Sequence, residues 1–199
     1  MKLAFFASHR GTNMQAVLDA CKSGDLAAEP CVVISNNSEA EALLRAERDH
    51  IPHYHLSTKT HPQPGELDAA ILTVLQQHDA ELVVLAGYMR KLDPLTLSHF
   101  QGRIINIHPG LLPKYGGPGM YGAHVHEAVL AAGEKETGVT IHLVDEEYDH
   151  GAIIAQCRIP VLPDDTALTL AERVLAQEHI FLVETLGRIL SKELALPVT

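Results

Sequence analysis

Asn106 and His108 close the apolar run RIINIH and open a loop rich in Gly and Pro, HPGLLPKYGGPGMYG. Residues two apart on a strand project to the same side, so this amide and imidazole leave the strand end together. An Asn amide and a protonated His are two donors that suit an oxyanion developing on a carbonyl carbon. The plainer alternative is a polar strand edge. Downstream, DEEYDHG (145–151) holds four acids. Most fit a solvated turn. One carboxylate reaching back to the His would favour the imidazolium and raise its pKa.

Two further strand ends carry polar groups. In ASHRGTNMQA (7–16), Thr12 or Asn13 is expected to cap a helix whose free N–H groups and dipole suit a phosphate. Ser8, Thr12 and Asn13 would add side-chain donors, and Arg10 charge. An ordinary helix cap explains the stretch equally well, and it is neither a Walker A loop nor G-x-G-x-x-G. In AGYMRKLDP (86–94), Arg90 is placed to pair with a carboxylate, against the alternative of a solvated loop.

Other chemistries find less support. The chain has 13 His, but His53 and His55 on one strand face lack a third ligand, and His124 and His126 diverge on a helix. A G-x-S-x-G turn is absent. Cys157 reads as a core residue.

These groups need elements to hold them. LAFFA (3–7), CVVIS (31–35), HYHL (53–56), ELVVLAG (81–87) and RIINIH (103–108) read as strands alternating with helices over 12–24, 38–50, 66–79 and from Pro94, where Asp93 reads as N-cap. That pattern predicts an α/β, Rossmann-like three-layer sandwich with a mostly parallel sheet and ligands at the carboxyl ends of its strands. A short helix, HVHEAVLAAG, follows the loop after His108. VTIHLVD (139–145) and AIIAQCRIPV (152–161) then form an antiparallel C-terminal hairpin, and 166–190 a long amphipathic helix. Residues 1–199 read as one domain.

Composition narrows the partners. The 199 residues carry a net charge of −10, which disfavours nucleic acid but not small anions held by local donors. Three scattered Cys suit a reducing cytoplasm. No run approaches the ~18 apolar residues of a membrane span.

The motif NIHPGLLP, followed about 40 residues later by an Asp-containing turn, resembles the folate-dependent formyltransferases. SHRGTNMQAVLDACKSG, VVLAGYMRKLDP, TGVTIHLVDEEYDHGAIIAQ and AERVLAQEHIF are similar to further segments of the family, in the same order. The similarity is greatest to members that formylate glycinamide ribonucleotide in purine biosynthesis. The resemblance implies 10-formyltetrahydrofolate as co-substrate, no metal, and a monomer or homodimer. It makes Asn106, His108 and Asp149 catalytic. Gly11, Thr12 and Asn13 would hold the ribonucleotide phosphate and Glu178 its ribose. Leu85, Met89, Arg90, Lys91, Leu92, Asn106 and Val144 would flank the folate. The chain departs from the family at His9 and Arg10, at Pro64 where some members carry a folate-contacting Arg, at Lys91 where an apolar residue is common, at Gly110 where Ser is frequent, and in a longer loop over 115–122. Three rival readings are a hydrolase of the same folate, expected to carry an extra N-terminal domain, a transferase to aminoacylated tRNA or a sugar nucleotide, and a non-catalytic binding module.

Overall fold

The computed structural model describes residues 1–196. Seven strands form one sheet: β1 (Lys2–Phe6), β2 (Glu29–Ser35), β3 (His53–His55), β4 (Leu82–Leu85), β5 (Ile104–His108), β6 (Glu136–Leu143) and β7 (Ile153–Pro160). Their spatial order is β3-β2-β1-β4-β5-β6-β7. The first five run parallel. β6 runs antiparallel to both β5 and β7, so the expected hairpin is present and its first strand also reverses against the parallel block.

Alternate side chains of the central strands enter opposite layers. Leu3 and Phe5 of β1 join one core, with residues of α1 (Thr12–Ser23), α2 (Glu41–Arg48), α5 (Ala123–Ala131) and α6 (Ala167–Leu190). Ala4 and Phe6 join the other, with α3 (Glu66–Gln77) and the segment of α4 (Pro94–His99). Both sheet faces are covered, which is why these strands read as continuous apolar runs. Among the described residues, no helix is long and apolar enough to cross a membrane.

Three local features differ from the sequence reading. β6 begins at Glu136 rather than 139, because Glu136, Thr137 and Gly138 pair with Pro160, Ile159 and Arg158 of β7. A Cβ on Gly138 would lie 2.0 Å from the Cys157 carbonyl oxygen, so glycine permits that pairing. Asp93 is the N-cap of α4 but its side chain makes no capping bond. The buried Asp68 of α3 accepts from Leu95 N (2.8 Å), Thr96 N (3.0 Å) and Thr96 Oγ1 (2.6 Å) instead. Cys157 is half-buried on the edge strand rather than in the core.

From β1 the chain winds outward to β2 and β3, and from β4 outward to β5. The order therefore reverses between β1 and β4, and the crevice at their carboxyl ends is the expected ligand site. Ser8 stitches the two loops there. Its N–H donates to Gly87 O (3.0 Å), and its Oγ accepts from Met89 N (2.7 Å).

Candidate active site

The first wall of the crevice is the start of α1. Its N-cap is Gly11, at φ 66, rather than Thr12 or Asn13. A Cβ there would meet Ala42 Cβ at 2.7 Å, so the position needs glycine for both backbone and space. No side chain caps the helix, which leaves its first N–H groups free. Two of the expected side-chain donors are committed elsewhere. Ser8 Oγ donates to Asn36 Oδ1 (2.5 Å), and Asn13 Nδ2 donates to Glu178 Oε2 (2.5 Å). Arg10 is exposed and Thr12 half-buried. Glu178, on α6, is itself buried, and burial raises its pKa to about 7 although Asn13 pulls the other way.

The second wall follows β4. Leu85 and Leu92 are buried in one apolar cluster, and Val144 packs against it. Met89 is 43% exposed, and Arg90 and Lys91 are exposed beside it. The expected folate-flanking residues other than Asn106 therefore share one side of the crevice. Main-chain groups fix it, with Met89 N on Ser8 and Val144 N on Ile104 O (2.9 Å).

Between the walls lies a polar cluster at the end of β5, its two histidines buried and its Asn106 and Asp149 half-buried. His108 is 3% exposed. Its Nδ1 lies 3.6 Å from Asp149 Oδ1. His142 Nε2 lies 3.5 Å from the same oxygen. Asn106 Nδ2 is 3.1 Å from His142 Nε2. The structure thus brings Asn106, His108 and Asp149 together and adds His142, which the sequence reading missed. The available signal was a polar residue interrupting the apolar run VTIHLV; its partner across the ladder is Asn106.

The hydrogen bonds define the tautomers. His108 Nε2 is 2.6 Å from the Tyr115 carbonyl oxygen, which only accepts, so Nε2 carries a hydrogen. His142 Nδ1 donates to Leu143 O (2.7 Å) for the same reason. His142 Nε2 then faces both Asn106 Nδ2 (3.1 Å) and Asp149 Oδ1 (3.5 Å). The amide keeps its second hydrogen for another partner.

The expected rise in the pKa of His108 does not occur. Burial lowers it, outweighing Asp149 and the Tyr115 carbonyl, which both favour the proton. Burial pushes Asp149 up, but His142, His108 and the Gly117 N–H together hold its pKa below the usual carboxylate value. The free protein therefore pairs a neutral His108 with an ionised Asp149. A lone pair on Nδ1 facing a carboxylate is a poor arrangement, and a proton arriving at Nδ1 relieves it.

Residues 110–117 wrap this pair with backbone. Tyr115 supplies its carbonyl to His108, and Gly117 N donates to Asp149 Oδ2 (3.0 Å). A Cβ on Gly110 would stand 2.9 Å from Val125 Cγ1 and 3.2 Å from His108 Nε2, so the departure to Gly has a steric reason in this chain. Thr140 Oγ1 donates to Gly110 O (2.7 Å) and accepts from Leu112 N (3.1 Å), anchoring the start of the loop. Among the described residues, no group of three or more His, Cys, Asp or Glu is arranged to hold a metal ion.

Residues 1–186 match the formyl transferase family model. The chain is 42% identical over 178 residues to phosphoribosylglycinamide formyltransferase of Haemophilus influenzae, covering 89% of this chain and 82% of that one. It is 36% identical to the same enzyme of Escherichia coli, covering 90% and 82%. The crystal structure of phosphoribosylglycinamide formyltransferase from Bacillus halodurans superposes with a TM-score of 0.89 at 38% identity over the whole of both chains. The match spans the crevice, the polar cluster at the end of β5 and most of α6, and the chain belongs to the formyl transferase family.

Proposed function

We propose that this chain transfers the formyl group of 10-formyltetrahydrofolate to the amine of glycinamide ribonucleotide, a step of purine biosynthesis, with residues 1–199 acting as one formyltransferase domain. The observation that carries this reading is the Asn106–His142–Asp149–His108 cluster, with both imidazoles buried. It sits between a free helix N-terminus and an apolar wall bordered by exposed cations.

The substrate amine attacks the formyl carbon, and the carbonyl oxygen becomes an oxyanion. The second hydrogen of Asn106 Nδ2 is available to it. Neutral His108 receives the proton shed by the attacking nitrogen at Nδ1, directly or through water. The resulting imidazolium lies between Asp149 and the Tyr115 carbonyl, both of which favour the charged ring. It then contributes to stabilising the oxyanion and delivers its proton to N10 of the folate as the carbon–nitrogen bond breaks. The products are the formylated amine and tetrahydrofolate.

In the same reading, the backbone at Gly11, Thr12 and Asn13 holds the phosphate. Arg10 adds charge, and Glu178 accepts from the ribose hydroxyls. Leu85, Leu92 and Val144 border the pterin, Met89 and Lys91 flank it, and Arg90 meets a carboxylate of the folate tail. The protein works as a monomer or homodimer in the cytoplasm, where its three free cysteines are expected to stay reduced.

Formyl transfer is followed by the absorbance change of the folate, with and without glycinamide ribonucleotide. Turnover is expected only with the amine, and amine-independent formate release would favour the hydrolase. Asp149→Asn is expected to lower kcat at neutral pH by roughly 10²-fold or more. Turnover near that of the unmodified protein would remove Asp149 from the reaction.

A further inference from the structure

The turn that carries Asp149 needs outside support. Asp149 has φ 55, a left-handed backbone conformation that a non-glycine residue adopts at a cost of about 1 kcal/mol or more. Two residues on, a Cβ at Gly151 would lie 1.9 Å from Leu143 O, so the chain is pressed against the end of β6. The tip itself, Glu146 to Tyr148, is exposed. Within the turn, Asp145 accepts from Glu147 N (2.8 Å) and pairs with His150 (2.9 Å). From the loop after β4 comes Lys91. Its ammonium donates to the Glu146 carbonyl oxygen and stands 5.2 Å from the centre of the Tyr148 ring.

We propose that Lys91 is a positioning residue for Asp149, its ammonium bridging the loop after β4 to the turn after β6 and holding the carboxylate against His108. The loop that flanks the formyl donor then also sets the geometry of the His108–Asp149 pair. The consequence for turnover rests on the proposed function; the geometric claim does not.

Lys91 suits this task for three reasons. Its stem is long enough to reach from the loop after β4 to the turn after β6 while its head stays at the rim. The 145–149 turn carries four carboxylates, so a cation there offsets their mutual repulsion. The two acceptors that Lys91 meets, a carbonyl and a ring face, leave the Asp149 carboxylate to His108, His142 and Gly117.

The test reads His108 directly. The histidines are labelled with ¹³C and titrated by NMR in the free protein, with His108 assigned through His108→Gln. The groups that face His108 are Asp149, His142, His126 and the Tyr115 carbonyl. Removing a cation would, through space alone, raise the midpoint of a nearby imidazole. Releasing Asp149 lowers it, so the two effects have opposite signs. Lys91→Leu is expected to move the His108 midpoint down by roughly half a pH unit. It should also lower kcat by about fivefold or more, with KM for the ribonucleotide unchanged. Lys91→Arg, which keeps a donor for the Glu146 carbonyl, should stay at the unmodified midpoint. A midpoint that stays put or rises in Lys91→Leu overturns the proposal, as does an equal fall in both variants. If the unmodified protein transferred no formyl group, the proposed function would fail while the titration still decided the role of Lys91.

Discussion

Glu178→Gln separates the stability of this fold from its function. Glu178 is 7% exposed, on the buried side of α6, and accepts one hydrogen bond from Asn13 Nδ2. Burial raises its pKa from 4.5 to about 7. A carboxyl whose folded pKa lies above its unfolded one contributes its full stability below the unfolded value. That stability is lost as pH rises through the folded value. The 2.5-unit difference between 4.5 and 7 amounts to about 3 kcal/mol, accumulated between pH 4.5 and 7 and constant above. A Gln side chain keeps an oxygen to accept from Asn13 and carries no titrating proton. Urea unfolding at pH 5 and pH 8 should therefore show the unmodified protein losing about 2.5 kcal/mol more than Glu178→Gln across that interval. At pH 8 the variant should be the more stable of the two. If both proteins lose the same free energy, Glu178 is not held near neutrality by burial and the reasoning fails. The same variant is expected to bind the ribonucleotide less tightly, since an amide accepts the ribose hydroxyls more weakly than a carboxylate.

Gly110→Ala places a Cβ against Val125 and His108. It should lower kcat by about tenfold with little change in KM, and adding Val125→Ala should restore part of the loss in the same steady-state assay. Asp68→Ala leaves Leu95 N, Thr96 N and Thr96 Oγ1 without their shared acceptor. Thermal or urea unfolding should show a loss of about 2 kcal/mol, at the upper end for a lost helix cap, because the site is buried.

Much of the site was legible because strand periodicity is a local property. Asn106 and His108 are two apart at a strand end, and any strand there directs them to one side. Alternation of apolar strands with helices implied covered parallel strands, and hence a crevice at their carboxyl ends. What was not legible involves partners far apart in sequence. His142 enters the cluster because β6 pairs antiparallel to β5 and sets it across from Asn106. Asp68 caps α4 from a different helix, a role the local pattern gave to Asp93. Ser8 and Asn13 looked like free donors, yet Asn36, Met89 and Glu178 consume them across the fold.

Sequence alone determined the order of elements, the two-sided sheet and the residue types at each strand end, since these follow from spacing and hydropathy along the chain. Tertiary structure decided the charge states. Burial lowers the pKa of His108 against the pull of its own carboxylate neighbour, and it raises Glu178 towards neutrality. Desolvation depends on everything packed around a group, and spacing along a chain carries no record of it. The loop over 110–117 makes the same point. Its glycines read as a departure from relatives, and in the fold its backbone grips both His108 and Asp149.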